Sequence, residues 1–413
     1  MTSNTRVVVI GAGLAGVRLA RRLGELGTPA LLVGEEEHPP YNRVLLADVL
    51  AGRYPPEVIS LPAPERLMRA RVTRIDRAGR ELHCSDGSVI AYGTLVLATG
   101  SNPVLPPLRG LLAPGRTELP EGVHAFRTMD DCLRLAGAVR EGVRAVVIGG
   151  GLLGVSAARA LAARALAARG TQVVLAQQAE RLMERQLDPG ASALVCRHLA
   201  ALGVEVHTET RVRGVRTRAG AVRSVEMADG YSLDTDLVVP ACGVLPRVGL
   251  AREAGLAVGS GVLVDDELRT SDPGIRAIGD CAQHAGTVYG LAAPALEQAD
   301  VLAELLAGGV GDRTRRYTGT RSLTRLTLAG RDVLDLAAFG EPDPRPGDDV
   351  VRLADATRGT YRKVVVRKDR LVGGVLVGDL GTVGALARAW EGAEPLPTGG
   401  APLLHLLTND GGS

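Results

Sequence analysis

Three features of the chain point to an α/β protein built from two Rossmann-like dinucleotide-binding domains and a C-terminal α+β domain. The segment VVVIGAGLAG at Val7 to Gly16 returns in kind as AVVIGGGLLG at Ala145 to Gly154. Each is an apolar run that meets G-x-G-x-x-G and continues into an Ala/Leu/Arg-rich stretch of helical character. Residues 316–400 instead alternate apolar and polar side chains, the pattern of antiparallel strands. With 413 residues, 46% of them hydrophobic, the chain can bury more than one core.

The run Val7 to Ile10 is unbroken rather than alternating, as a parallel strand covered on both faces requires. At its end Gly11 makes the tight turn, Gly13 lets backbone approach a pyrophosphate, and Gly16 lets helix pack on strand. The helix N-terminus then offers unpaired N–H groups to phosphates. A second strand ends in GEEE, which places Glu35 and Glu36 where a carboxylate accepts hydrogen bonds from both hydroxyls of an adenosine ribose. That favours an unphosphorylated ribose, as in FAD. HPPYNR then brings Arg43, whose guanidinium offers paired donors to a phosphate or flavin; a surface ion pair is the plainer alternative. A crossover from Ile75 to Ile90 leads into TLVLATG, where strand Leu95 to Leu97 stops at Thr99 and Gly100, the end of an open α/β sheet that faces ligand.

A Pro/Gly-rich stretch from Pro103 to Gly122 marks the passage to the second unit. There Gly149, Gly151 and Gly154 repeat the fingerprint, but Gln177 stands where the first unit has carboxylates, with Arg181 four residues on. Arg181 can face a 2′-phosphate, which favours NADPH over NADH, or be an ordinary exposed loop arginine. The run Leu237 to Leu250 returns to the first unit, whose last strand, Ile275 to Ile278, ends at Gly279 and Asp280. Asp280 either bonds a ribityl hydroxyl or caps the helix expected over Ala292 to Leu306. Hairpin character at Lys368 to Arg370 and a helix after Thr382 complete the C-terminal domain, and the Gly/Pro-rich residues 401–413 read as a flexible tail. The expected plan is therefore an FAD-binding domain from 1–118 and 240–315, an NAD(P)H-binding domain at 119–239, and an interface domain at 316–400.

Composition narrows the functional classes. Forty-eight basic and 46 acidic residues leave a net charge of +2, too weak a field to argue for nucleic acid or an anionic membrane. MTSNT runs directly into the first strand and no apolar stretch has spanning length, so a cytoplasmic protein without a membrane segment is expected. Cys84, Cys132, Cys196, Cys242 and Cys281 are scattered, with no C-x-x-C and no metal-ligand spacing. A disulfide relay, an iron–sulfur cluster and a metal site are thus not expected.

These strings, together with LMERQLDPGASALVCRHLAALGVEV, VVPACGVLPRVGLA, VDDELRTSDPGIRAIGDCA, GTVYGLAAPALEQA and RKVVVRKDRLVGGVLVGD, cover residues 6 to 380. Through them the chain resembles the non-disulfide branch of the pyridine nucleotide-disulfide oxidoreductase superfamily. Within it the chain is most similar to the flavoprotein portion of NAD(P)H-dependent assimilatory nitrite reductase large subunits. The resemblance implies FAD on the first unit, NADH or NADPH on the second, hydride transfer from nicotinamide C4 to flavin N5, and electrons leaving to a partner. It further implies Glu297 near the pyrimidine end of the flavin, unless that residue is merely on the helix surface. The cysteine-rich iron–sulfur and siroheme regions of those subunits have no counterpart in these residues. The expected acceptor is therefore a separate nitrite or nitrate reductase component, or a ferredoxin- or rubredoxin-like carrier; a homodimer is compatible with the class.

Three departures bear on hydride transfer. Where the resembling reductases carry a Glu two residues beyond the last Gly of the second fingerprint, this chain has Ser156. Where related ferredoxin reductases carry a Lys five residues after the Arg of Pro-Tyr-x-Arg, it has Asp48. The pentapeptide ARALA at Ala158 to Ala162 repeats at Ala163 to Ala167, so the helix either bulges or protrudes by about 7.5 Å. Arg43, Asp48, Ser156 and Glu297 are accordingly the candidates for the reaction site. A self-contained NAD(P)H oxidase, a small-molecule reductase, or a flavin-binding protein with impaired turnover are the alternative functions.

Overall fold

The computed structural model describes residues 6–112, 118–167, 171–308, 315–321, 323–330, 332–392, 395–396 and 407. Strand Val7–Ile10, buried at all four positions, is the centre of a five-stranded parallel sheet. It pairs with Leu31–Gly34 on one side and Thr94–Leu97 on the other, and Leu67–Arg69 and Ile275–Ala277 form the edges. The last of these comes from late in the chain, so the first unit is assembled from two separated segments. Helix Leu14–Glu25 buries Ala15, Val17, Leu19, Ala20 and Leu23. These residues share one core with Ala295, Ala299 and Leu302 of helix Ala292–Ala307. The crossover expected from Ile75 to Ile90 is a small antiparallel sheet over residues 72–91.

The second unit repeats the plan with four parallel strands in the order Val204–His207, Gln172–Ala176, Arg144–Ile148, Leu237–Pro240. The Pro-rich stretch expected to mark the change of unit already belongs to this core, since Leu111 and Val123 pack with Val146, Val174 and Val238. An antiparallel ribbon of Ser101–Pro103 with Val244–Pro246 carries the chain across between units. Both copies of ARALA lie in one helix, Leu152–Ala167, and strand Gln172–Ala176 still pairs residue for residue with Arg144–Ile148. The extra residues therefore lengthen the helix and leave the sheet register intact. Arg159 and Arg164, equivalent positions of the repeat, both reach the short helix Leu46–Leu50 and its neighbourhood. Arg159 donates to Asp48 at 3.0 Å, and Arg164 to the carbonyls of Ala136 at 3.0 Å and Leu50 at 3.4 Å.

The C-terminal domain is a five-stranded antiparallel sheet in the order Thr324–Leu328, Leu334–Gly340, Arg370–Val377, Thr360–Arg367, Asp349–Asp355, with helix Val383–Gly392 across it. Its central hairpin turns at Lys368, whose φ of +61° is the left-handed conformation such a turn uses. Apart from Leu407, the tail 401–413 lies outside the described residues. Among the described residues no helix is long and apolar enough to cross a membrane.

Candidate active site at two glycine turns

Both glycine turns open into one cavity of about 3330 Å³, several times the ~300–1,000 Å³ that holds a single ligand. At the first turn Gly11 has φ +114° and its N–H donates to Val33 O at 2.8 Å. A Cβ on Gly11 would strike the carbonyl of Ala98, and one on Gly16 would strike that of Gly11. These two glycines are dictated by close packing. Gly13 differs: a Cβ there would meet nothing within 4 Å, so its backbone faces open cavity at the start of helix Leu14–Glu25, which has no side-chain cap. That is a cradle for a diphosphate. The second turn reproduces it. Gly149 has φ +109° and a Cβ there would come within 2.6 Å of Ala241 O, Gly154 abuts the carbonyl of Gly149, and Gly151 again faces empty space. The residues present fit two dinucleotides.

Glu35, directly after strand Leu31–Gly34, lines the cavity and pairs with Arg247, with Arg71 at 3.6 Å. Glu36 also lines the cavity, accepting from Arg43 Nη2 at 2.7 Å and from the Tyr41 hydroxyl at 2.5 Å. Arg43 in turn donates to Arg127 O at 2.7 Å and lies over the Tyr41 ring at 5.2 Å. Burial works against its charge, but Tyr41 and Glu36 outweigh burial and hold its pKa above the ordinary arginine value. Arg127 extends the chain, donating to Asp280 Oδ2 at 2.7 Å and to Ser101 Oγ at 2.6 Å, while Ser101 donates to Asp280 at 2.8 Å. Asp280 does not cap the following helix, which begins at Ala292 with Leu291 as its N-cap; it sits in the single turn Gly279–Cys281 and faces the cavity. Gly279 N–H is held by Gln298 Oε1 at 2.7 Å, and Thr99 Oγ1 donates to Arg247 O at 2.8 Å. Gly100, with φ +72°, and Glu297, which accepts from Thr320 at 2.6 Å, also line the cavity. Arg127 lies in none of the quoted strings and Arg247 within VVPACGVLPRVGLA, and only the folded chain brings the two to the site.

Around the second turn Gln177 is buried, its Oε1 accepting from Gly150 N–H at 2.8 Å. Arg181 is directed away from the cavity, donating to Leu187 O at 3.0 Å and Asp343 at 3.1 Å. Arg185, Arg211 and Arg213 line the cavity instead. Ser156 faces the cavity with its hydroxyl bonded back to Leu152 O at 2.8 Å, the self-contained arrangement of a helical serine. Asp48 is not among the lining residues, although its neighbours Leu46 and Ala47 are. Its carboxylate pairs with Arg159, 2% exposed, and with Arg53 at 3.4 Å. Asp48→Asn is expected to lower the free energy of unfolding by about 1.5 kcal/mol, between the values for exposed and buried pairs; an unchanged thermal midpoint would contradict this. All five cysteines are unpaired, and burial pushes the Cys281 and Cys132 thiols up, the latter to about 11, so neither is poised as a thiolate.

Two parallel sheets that each present a glycine turn to one shared cavity define a protein with cradles for two dinucleotides. Residues 5–299 match the model of the pyridine nucleotide-disulphide oxidoreductase family, and residues 324–391 match the rubredoxin NAD+ reductase C-terminal domain. The chain belongs to the pyridine nucleotide-disulphide oxidoreductases. It is 34% identical over 385 residues to a nitrite reductase [NAD(P)H] of Bacillus subtilis, covering 91% of this chain and 46% of that protein. It is 33% identical to the assimilatory nitrate reductase electron transfer subunit of the same organism, covering 91% of this chain and 48% of the relative. The chain thus spans about half the length of these curated relatives. In three dimensions it is similar to putidaredoxin reductase in its covalent complex with putidaredoxin (TM-score 0.83, 27% identity, 98% of this chain and 99% of that one). It is also similar to the ferredoxin reductase of the CYP199A2 system of Rhodopseudomonas palustris (TM-score 0.78, 29% identity, 91% of each chain).

Proposed function

We propose that the protein draws reducing equivalents from NAD(P)H onto FAD and delivers them to a separate redox protein, a component of nitrite or nitrate reduction. The observation that carries this reading is the pair of open cradles at Gly13 and Gly151 facing one cavity, with no paired cysteine anywhere in the chain. The relatives named for nitrite reduction and for electron transfer to nitrate reductase supply the acceptor class. When bound, the flavin and nicotinamide provide hydride transfer themselves, and the protein provides position and charge. In this scheme Gly13 and the first turn of Leu14–Glu25 hold the FAD diphosphate and Glu35 the adenosine ribose. Asp280, fixed by Arg127 and Ser101, faces the ribityl chain, and Arg43 braces that wall through Glu36. Gly151 and its helix hold the nicotinamide dinucleotide. The unpaired cysteines suit a reducing, cytoplasmic compartment.

Anaerobic mixing of purified yellow protein with NADH or NADPH tests this. The flavin band is expected to bleach at once, to recover slowly in air, and to recover fast with an added redox carrier, while nitrite alone leaves it bleached. Rapid recovery in air would instead make the protein an oxidase, and failure to bleach would make it a flavin-binding protein without turnover.

A further inference from the structure

The charge pattern around the second glycine turn differs from that around the first. At the first, Glu35, Glu36 and Glu37 line the cavity beyond the end of strand Leu31–Gly34. At the second, the corresponding place holds neutral Gln177 and Gln178, and Arg185, Arg211 and Arg213 line the same cavity. Arg185 lies two residues beyond Met183, whose N–H donates to Gly150 O at 2.8 Å, so it projects from a segment bonded to the glycine turn itself. Arg211 follows Thr210, whose N–H donates to Gln177 O at 2.9 Å, which ties it to the end of strand Gln172–Ala176. Both arginines are exposed, and among the described residues neither side chain has an ion-pair partner. Among the described residues Glu184 is the single acidic side chain on this stretch of wall. Arg181, which sequence spacing offers either for a phosphate or as a loop arginine, is occupied by Asp343 and by main-chain carbonyls.

We propose that the second site selects NADPH over NADH, with Arg185 and Arg211 receiving the 2′-phosphate of the adenosine ribose. The proposal rests on the reading that the second glycine turn holds the nicotinamide dinucleotide. A ribose with free 2′- and 3′-hydroxyls wants an acceptor at position 177, ideally a carboxylate; a phosphomonoester is repelled by one and bound by guanidinium donors. The Gln177 oxygen is already engaged by Gly150 N–H, leaving no charged acceptor for a 2′-hydroxyl.

The test is calorimetric binding of 2′,5′-ADP and of 5′-ADP to the flavin-loaded protein, with no turnover required. The phosphorylated compound is expected to bind tighter by about tenfold or more, and the gap to narrow as salt is raised. R185A and R211A are each expected to shrink the gap, whereas R181A leaves it in place. Q177E keeps an oxygen acceptor for Gly150 N–H and is expected to reverse the preference. Equal affinities in the unaltered protein, or a gap that survives loss of both Arg185 and Arg211, would overturn the proposal. If both NADH and NADPH bleach the flavin but the two compounds bind alike, selectivity alone fails. If neither compound binds and neither nucleotide bleaches, the reading of the second turn fails and takes the selectivity with it.

Discussion

A Gly151→Val protein is expected to purify yellow, with its full complement of flavin, yet to bind NAD(P)H about a hundredfold more weakly. The reason lies in the difference between the three glycines of each fingerprint. At Gly149 and Gly154 a side chain would run into backbone carbonyls, so substitutions there damage the fold. At Gly151 a Cβ meets no atom within 4 Å beyond its chain neighbours and its own helix backbone, and the backbone is not in the left-handed region. The added side chain therefore starts in open cavity, where the proposed function puts a diphosphate. Gly13→Val is the matched experiment at the first turn, where φ is −83° and the space is equally open. It is expected to yield protein depleted of flavin. The flavin-to-protein absorbance ratio and the NAD(P)H concentration for half-bleaching check both. A Gly151→Val protein reduced as readily as the unaltered one would place the nicotinamide dinucleotide elsewhere.

The second large effect is expected at the seam between the nucleotide-binding unit and the C-terminal sheet. Asp188 caps helix Pro189–Ala201 through Ala191 N–H at 3.0 Å, and its other oxygen accepts from Lys363 Nζ at 2.9 Å and the Tyr361 hydroxyl at 2.5 Å. The side chains of Lys363 and Asp188 are 8% and 6% exposed. Lys363→Met strands a buried carboxylate and is expected to cost about 3 kcal/mol. It should appear as faster amide exchange in Pro189–Ala201 and Thr360–Arg367. The effect carries a pH signature. Burial pushes the Asp188 carboxyl up, but its hydrogen bonds to Tyr361, Lys363 and Ala191 outweigh burial and leave its pKa below the ordinary aspartate value. The folded value being the lower one, the stabilisation is complete above the unfolded pKa of about 4 and is lost as pH falls through the folded value. The difference between Lys363→Met and the unaltered protein should therefore be full at neutral pH and shrink in acid; a difference independent of pH would show that the substitution acts through packing alone.

Much of this site was legible in the residues because the relevant physics is short-range. Gly11, Gly13 and Gly16 act on a turn only six residues long, and an unbroken apolar run such as Val7–Ile10 announces a strand covered on both sides. The turn at Lys368 and the helix over Ala292–Ala307 followed from equally local patterns. Asp280 shows the limit. Its position at a strand end was plain, but two local roles were open, and the choice came from Arg127 and Ser101, 153 and 179 residues away in sequence. The choice between the two readings of Arg181 is equally long-range, since Asp343, its partner, is 162 residues distant.

The amino-acid order alone therefore settled the backbone turns, the periodicity of the elements and the pairing of two nucleotide cradles, since each depends on contacts within one strand, turn and helix. Folding chose the partners of the long charged side chains. Arg43, Arg159, Arg185 and Lys363 can each reach several ångströms in many directions, and which carboxylate, carbonyl or open cavity they find depends on which strand ends come to lie side by side.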